Sequence, residues 1–146
     1  MPPLLRNILA QIAGVIVGVV CISVGETIDG RIYPPPAGFD PKNVEMVKQY
    51  AASLPPSALL IVLFSYAIGF SIAVLLATRL AATNHAVRGA VVGAFFGAAT
   101  VLNLMAFPHP AWFWVGNFAV LLAATWLGIR LGLPTPGRAS ARPATG

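Results

Sequence analysis

Four long apolar runs, separated by short polar or proline-containing breaks, dominate the sequence. They cover about residues 6–27, 57–79, 86–107 and 111–131. A helix of that length crosses a hydrocarbon core of about 30 Å. In every run small residues recur on one helical face, which is typical of membrane helices that pack against other helices. The pattern predicts an all-α, polytopic membrane protein with a compact four-transmembrane-helix bundle, built as a single domain over residues 1–132.

The small-residue faces are rich in glycine, and we predict that six glycines lie at helix–helix contacts. They are Gly14 and Gly18 in the first run, Gly69 in the second, and Gly89, Gly93 and Gly97 in the third. The last three recur at intervals of four residues, a fairly specific sign of close helix packing. The spacing does not distinguish a neighbour in the same chain from one in another chain.

Residues 28–56 form the long polar connection and are predicted to cross the membrane surface. Three consecutive prolines at 34–36 favour extended backbone. A short helix should follow, with Asp40 as its N-cap and Pro41 in its first turn. Residues 133–146 are rich in Pro, Gly, Ala and Arg and are predicted to form a disordered cytoplasmic tail.

The first apolar run also has features of a signal peptide. Arg6 precedes the run, and Ser23 and Gly25 fit a cleavage site of small residues. However, the run exceeds the usual h-region of about 7–15 residues. We therefore favour a retained membrane helix.

Composition and charge support a membrane location and exclude a nucleic-acid-binding protein. Hydrophobic residues make up 58% of the chain and charged residues 9%, against about 45–50% and about 25% in soluble domains. The net charge of +5 comes from basic residues scattered at the ends of the apolar runs. Six of nine lie on the side of the termini, so the positive-inside rule predicts cytoplasmic termini and an extracytoplasmic 28–56 loop. The expected partners are the lipid bilayer and either a second copy or another membrane protein.

Sequence motifs for catalysis or metal binding are absent. Cys21 is the one cysteine, and no ionisable residue occupies the middle of an apolar run, although membrane enzymes and proton-coupled transporters usually need one. We therefore expect no enzymatic activity, no cofactor and no metal site.

Four polar residues near the outer ends of the helices remain candidates for ligand or ion binding: Glu26, Asn103, His109 and Asn117. They are predicted to converge on a small outward-facing pocket, with Glu26 and His109 as a proton-exchanging or ion-binding pair. The alternative is structural. Asparagines in membrane helices commonly hydrogen-bond a neighbouring helix, and a histidine between two prolines is commonly a solvated turn residue.

Several outer sequence blocks resemble a group of uncharacterised small bacterial integral membrane proteins. These blocks are Glu26 with Tyr33-Pro34-Pro35-Pro36, Leu54-Pro55-Pro56, and Asn103 with Pro108-His109-Pro110-x-Trp112-Phe113. The resemblance implies a bacterial inner-membrane protein of four spans and no particular substrate. The size is also similar to that of small multidrug transporters, but those carry a carboxylate in mid-span, whereas Glu26 lies at the end of the first run.

Three functional hypotheses follow from these observations. The first is an accessory or scaffolding membrane subunit without enzymatic activity. The second is a small oligomeric transporter or channel that uses the outer pocket of Glu26 and His109. The third is an enzyme that acts on a lipid or a quinone at the outer leaflet.

Overall fold

The computed structural model describes residues 1–134, and within them the chain forms five α-helices. They are α1 (Pro3–Ile32), α2 (Val44–Ser53), α3 (Pro56–Leu80), α4 (His85–Ala106) and α5 (Ala111–Gly132). All except α2 are long and apolar enough to cross a membrane. The predicted all-α, four-helix architecture of a multi-pass membrane protein is confirmed. Most of the predicted disordered tail, from residue 135 onward, lies outside the described residues.

Helix α1 is longer than the sequence pattern predicted. It continues through Asp29 to Ile32, so the connection between α1 and α3 begins at Tyr33 rather than at residue 28. The charged residues near its end do not stop the helix. The first strong helix breaker is Pro34, whose ring disfavours helical backbone at the preceding residue. Tyr33 is accordingly the C-cap.

Helix α3 contacts all three other long helices. Helix α4 also contacts α1 and α5, whereas α1 and α5, both fully described, do not contact each other. Glycine contacts give the directions: Gly14 of α1 meets Ala73 of α3, while Gly25 farther along α1 meets Ser65. Thus α1 and α3 are antiparallel, as alternating membrane crossings require.

The core lies where α3, α4 and α5 meet. Its buried members include Phe70, Val74 and Ala77 of α3, Val92 and Phe96 of α4, and Leu121 and Ala124 of α5. The Phe70 and Phe96 rings lie 4.9 Å apart between their centroids. The whole apolar cluster holds α4 and α5 against α3.

All six glycines named from the sequence lie against another helix of the same chain. A Cβ added at Gly18 would lie 2.7 Å from the Cβ of Ala73, and one added at Gly93 would lie 2.7 Å from Thr125. The remaining contacts are Gly14 with Ala73, Gly69 with Gly18 and Ile22, Gly89 with Thr78, and Gly97 with Leu121. The three glycines of α4 therefore pack against α5 and α3. The face of α4 that carries them is not free to contact another chain.

Helix α2 begins later than the sequence predicted. Its N-cap is Asn43, whose Oδ1 accepts hydrogen bonds from the backbone amides of Glu45 and Met46 at 3.1 and 3.2 Å. Asp40 instead accepts from the amide of Lys42, at 2.9 Å, in the preceding turn. Both residues are good N-caps, and Pro41 falls in the turn rather than in the helix.

A polar contact joins the start of α1 to the turn between α3 and α4. Asn7 is 2% exposed. Its Oδ1 accepts from the amides of Ala82 and Thr83, and its Nδ2 donates to the Thr83 hydroxyl at 3.0 Å. Arg6 donates from Nε to the carbonyl of Leu80, at 2.9 Å. We call this end of the bundle the terminal end, and the opposite end, with residues 33–55 and 107–110, the loop end.

Candidate functional site

The loop end is where the sequence placed a polar pocket. His109 lies in the turn between α4 and α5, Glu26 near the end of α1, Asn103 near the end of α4, and Asn117 in α5. Two short segments cover this end, namely α2 and the turn 107–110.

His109 is held by the backbone and by an aromatic ring. Its Nδ1 lies 2.9 Å from the carbonyl oxygen of Phe107, the C-cap of α4. Since a carbonyl only accepts, Nδ1 carries the proton and Nε2 the lone pair of the neutral ring. The imidazole stacks on Phe113 with the ring centroids 4.9 Å apart and the planes 15° apart.

Burial lowers the pKa of His109 from its usual 6.5, and hydrogen bonds to the backbone of Phe107 and Leu104 oppose the shift in part. The imidazole is therefore neutral at pH 7. In that state it donates one hydrogen bond to the carbonyl of Phe107 at the end of α4 and carries no positive charge.

A cavity of about 380 Å³ lies beside His109. Its walls come from the end of α2, the start of α3 and the turn that carries His109, and include Leu54, Leu59 and Trp112. Apart from the imidazole and the Trp112 indole N–H, the side chains of this cavity are apolar. Glu26, Asn103 and Asn117 are not among the residues that line it.

Glu26 is exposed on α1, one turn before Asp29. The charge of Asp29 acts on Glu26, and the charge of Glu26 acts on Tyr66 of α3. Helix α1 does not contact α5, which begins two residues after His109. The structure thus places Glu26 beside α3 and does not bring it to His109.

The two asparagines have separate positions as well. Asn103 is partly buried, and its backbone carbonyl accepts from the amide of Phe107 at 3.3 Å. Asn117 is fully buried and donates from Nδ2 to the carbonyl of Phe113, at 2.8 Å. Its Oδ1 is buried without a hydrogen-bond partner. Of the four candidates, only His109 lines a cavity described here, and their convergence and their role in binding a ligand stay predictions.

The aromatic residues after the turn have two different roles. Phe113 is 1% exposed and packs with Leu59 and Leu104 in a second buried cluster. Trp112 is 41% exposed, and its ring meets Phe113 edge-on at 5.7 Å. Phe113 thus belongs to the core, whereas Trp112 lies at the surface.

Sequence reasoning did not single out Asp29 and Tyr50 as site residues. Asp29 is 7% exposed, and its Oδ1 has no hydrogen-bond partner. The hydroxyl of Tyr50 in α2 donates to the carbonyl of Tyr33 at 2.5 Å. Burial and the nearby charge of Asp29 raise the pKa of Tyr50. A helical wheel extended beyond Glu26 would have placed Asp29 on the buried face of Gly18 and Gly25.

Comparison with protein-family models, with curated proteins and with solved structures finds no match. Within residues 1–134, no group of three or more His, Cys, Asp or Glu side chains is placed to hold a metal ion.

Proposed function

We propose that the protein is a non-enzymatic accessory or scaffolding subunit of a bacterial inner membrane. The outer blocks that resemble small four-span bacterial membrane proteins support this location. The main support for the proposed role is that the residues of the interior serve helix packing. Its glycines bring the helices of one chain together, and several of its polar side chains bond to helix backbone.

Several buried polar side chains form hydrogen bonds with the backbone of their own helix. The hydroxyl of Thr78 donates to the carbonyl of Val74 in its own helix, and that of Ser65 to the carbonyl of Ile61. Asn117 likewise donates to the carbonyl of Phe113, one turn earlier in its own helix. Hydrogen-bond donors that are engaged within their own helix are not offered to an ion or a substrate. This supports a packing role over transport.

The outward face of α4 is the surface we assign to the partner. Ala86, Ala90, Ala94 and Ala98 are all exposed and recur every four residues. Small residues at this spacing let two helix backbones approach closely in a membrane. The partner is either a second copy of the chain or a helix of another membrane protein.

Substitution of Ala94 by leucine tests this assignment. The added bulk should weaken association by about tenfold, equivalent to about 1.4 kcal/mol, in co-purification of two differently tagged copies and in a native pull-down read by mass spectrometry. Ala123→Leu, at an exposed position of α5, is the matched control and should associate like the wild type. Gly93→Leu is not a clean test, because the new side chain would strike Thr125 within the chain.

The opposite pattern would reject the accessory role. If Ala94→Leu leaves every association intact while Glu26→Gln and His109→Ala abolish a cellular function, the polar residues carry the activity. The alternative is then a small oligomeric transporter or channel. Asp29, buried with an unpaired oxygen one turn from Glu26, favours that alternative. Proteoliposomes that show no flux of tested cations or amphiphiles would exclude it for those substrates.

A further inference from the structure

A groove in the membrane-spanning part of the protein runs along the contact between α1 and α3. It has a volume of about 610 Å³ and opens to the side. Its walls include Val24 and Ile28 of α1 and Leu60 and Phe64 of α3, with Cys21 and Ser65 the more polar members. Helix α4 contacts both α1 and α3, whereas α5 does not reach α1.

The groove is nearly as long as one leaflet of the hydrocarbon core is thick. It spans Val20 to Ile28 on α1, which at 1.5 Å per residue is about 12 Å. Half of a hydrocarbon core of about 30 Å is about 15 Å. On α3 the groove begins at Leu60, four residues after the helix starts at Pro56. It therefore lies in the leaflet at the loop end.

A basic residue lies at the loop-end margin of this groove. A second, shallower depression on α1 shares Val20, Val24 and Ile28 with the groove and reaches Arg31. Seven residues separate Val24 from Arg31, so the two side chains point within about 20° of each other around the helix. Arg31 lies about 5 Å beyond Ile28 along the axis, at the depth expected for lipid phosphates.

The acidic residues of α1 lie elsewhere around the helix. Glu26 follows Val24 by two residues and so points about 160° away from it. Asp29 is buried, and its charge acts on Tyr50 of α2. Neither carboxylate lines the groove or the depression beside it. The groove is therefore apolar along its length and has a positive charge, that of Arg31, at its loop-end margin.

We propose that this groove binds one phospholipid of the leaflet at the loop end, with an acyl chain between α1 and α3 and the phosphate on Arg31. The apolar walls match the chain, the groove length matches a leaflet, and the guanidinium matches the phosphate, which it can bind through two N–H groups. The bound lipid covers the side of the α1–α3 contact where neither α4 nor α5 lines the groove. It stays with the protein in mild detergent, unlike the lipids that surround the other helix faces.

The test uses vesicles of phosphatidylethanolamine and phosphatidylglycerol that contain a phospholipid with a photoactivatable acyl chain. After illumination, crosslinked peptides are mapped by mass spectrometry. Labelling should concentrate on residues 20–28 and 60–68 and fall about tenfold in Val24→Trp, which fills the groove. Val24 is 56% exposed, so the change does not disturb the core. Leu60 of α3 is also 56% exposed, and Leu60→Trp should lower the labelling in the same way.

Matched controls separate the groove from general lipid contact. Ile16 is on the same helix, is 57% exposed and lies outside the groove. Ile16→Trp should label like the wild type. In native mass spectrometry the wild type should retain one phospholipid. Arg31→Gln should lose it, and Arg79→Gln, at the terminal end, should keep it.

Two results would overturn the proposal. One is even labelling over all exposed apolar positions, unchanged by Val24→Trp and Leu60→Trp. The other is efficient disulfide formation between Cys21 residues of two copies in vesicles, which would place a second copy of the chain in the groove.

Discussion

Three polar side chains bond to backbone carbonyls at helix ends. His109 donates to the carbonyl of Phe107 after α4, Tyr50 to that of Tyr33 after α1, and Arg6 to that of Leu80 at the end of α3. The last carbonyls of a helix have no partner inside it, and in an apolar setting an unpaired carbonyl is costly. These side chains therefore keep the helix ends stable near the lipid.

His109 gives a pH-dependent prediction. Its pKa in the folded protein is lowered by burial, so below pH 6.5 the unfolded chain binds the proton more readily than the folded one. The free energy of unfolding should therefore fall as the pH decreases from 6.5 towards the lower folded-state pKa. The measurement is unfolding in mixed micelles at pH 7.5 and 5.5.

His109→Gln keeps a hydrogen-bond donor but does not titrate in this range. The difference in stability between the two pH values should shrink in this variant. An NMR titration of the wild type should place the imidazole pKa below 6.5. A value above 6.5 would contradict the prediction that burial outweighs the hydrogen bonds to the backbone of Phe107 and Leu104.

The sequence could identify the residues of the α4–α5 turn but not their orientation. Two prolines and the end of an apolar run predict the break at 107–110, and the structure has it there. Whether Phe113 points into the core or to the lipid depends on the packing of α3 and α4 around it. Four polar residues at similar depth fit one pocket or several, and depth alone does not tell which helix faces another.

At the level of helices, pairs of small residues set the contact between α1 and α3. Gly18 lies against Ala73 and the backbone of Gly69, while Gly25 lies against Ser65. Because these residues are spread along both helices, the two stay close over most of their length. The glycine spacing could be read from the sequence, but the assignment of each glycine to a partner helix required the structure.

Gly18→Ala should destabilise the protein, whereas Gly30→Ala should not. A Cβ at residue 18 would meet Ala73 at 2.7 Å and Phe96 at 2.9 Å, whereas one at residue 30 meets nothing within 4 Å. Gly18→Ala should therefore lower the free energy of unfolding by about 1–3 kcal/mol. Gly30→Ala should be neutral or raise it by up to about 1 kcal/mol, since alanine is the better helix former.

Unfolding of the purified protein in mixed micelles of increasing SDS content measures both glycine variants. Equal stability of the two would contradict the close α1–α3 contact. A loss in Gly30→Ala alone would point to a partner at the exposed side of α1.

For the whole molecule, the decisive feature is the central position of α3. The number of spans follows from the length and apolarity of the four runs, which the sequence gives directly. The neighbour relations do not, because every run has a small-residue face and many pairings are compatible with four such faces. Contacts made by α3 with α1, α4 and α5 together select one arrangement.

Orientation in the membrane is a prediction for the whole chain. Arg6, Arg79, Arg88 and Arg130 belong to the terminal end, and all four acidic residues to the loop end. By the positive-inside rule the terminal end should face the cytoplasm. A reporter active only in the periplasm should be silent when fused after Arg138 and active when inserted at Gly38.

A reporter that fluoresces only in the cytoplasm should give the reverse pattern at the same two positions. Periplasmic activity after Arg138 would reverse the orientation, and activity at both positions would indicate chains inserted in both directions.

The hydrogen bonds of Asn7 have a mechanical consequence. They fix the start of α1 to the turn between α3 and α4, while Gly25 lies about 27 Å farther along the helix axis. A small tilt of α1 about the fixed end therefore produces its largest displacement at the loop end. If a force on residues 33–55 tilted α1 about this fixed end, the distance between α1 and α3 would therefore change most at Gly25 and Ser65.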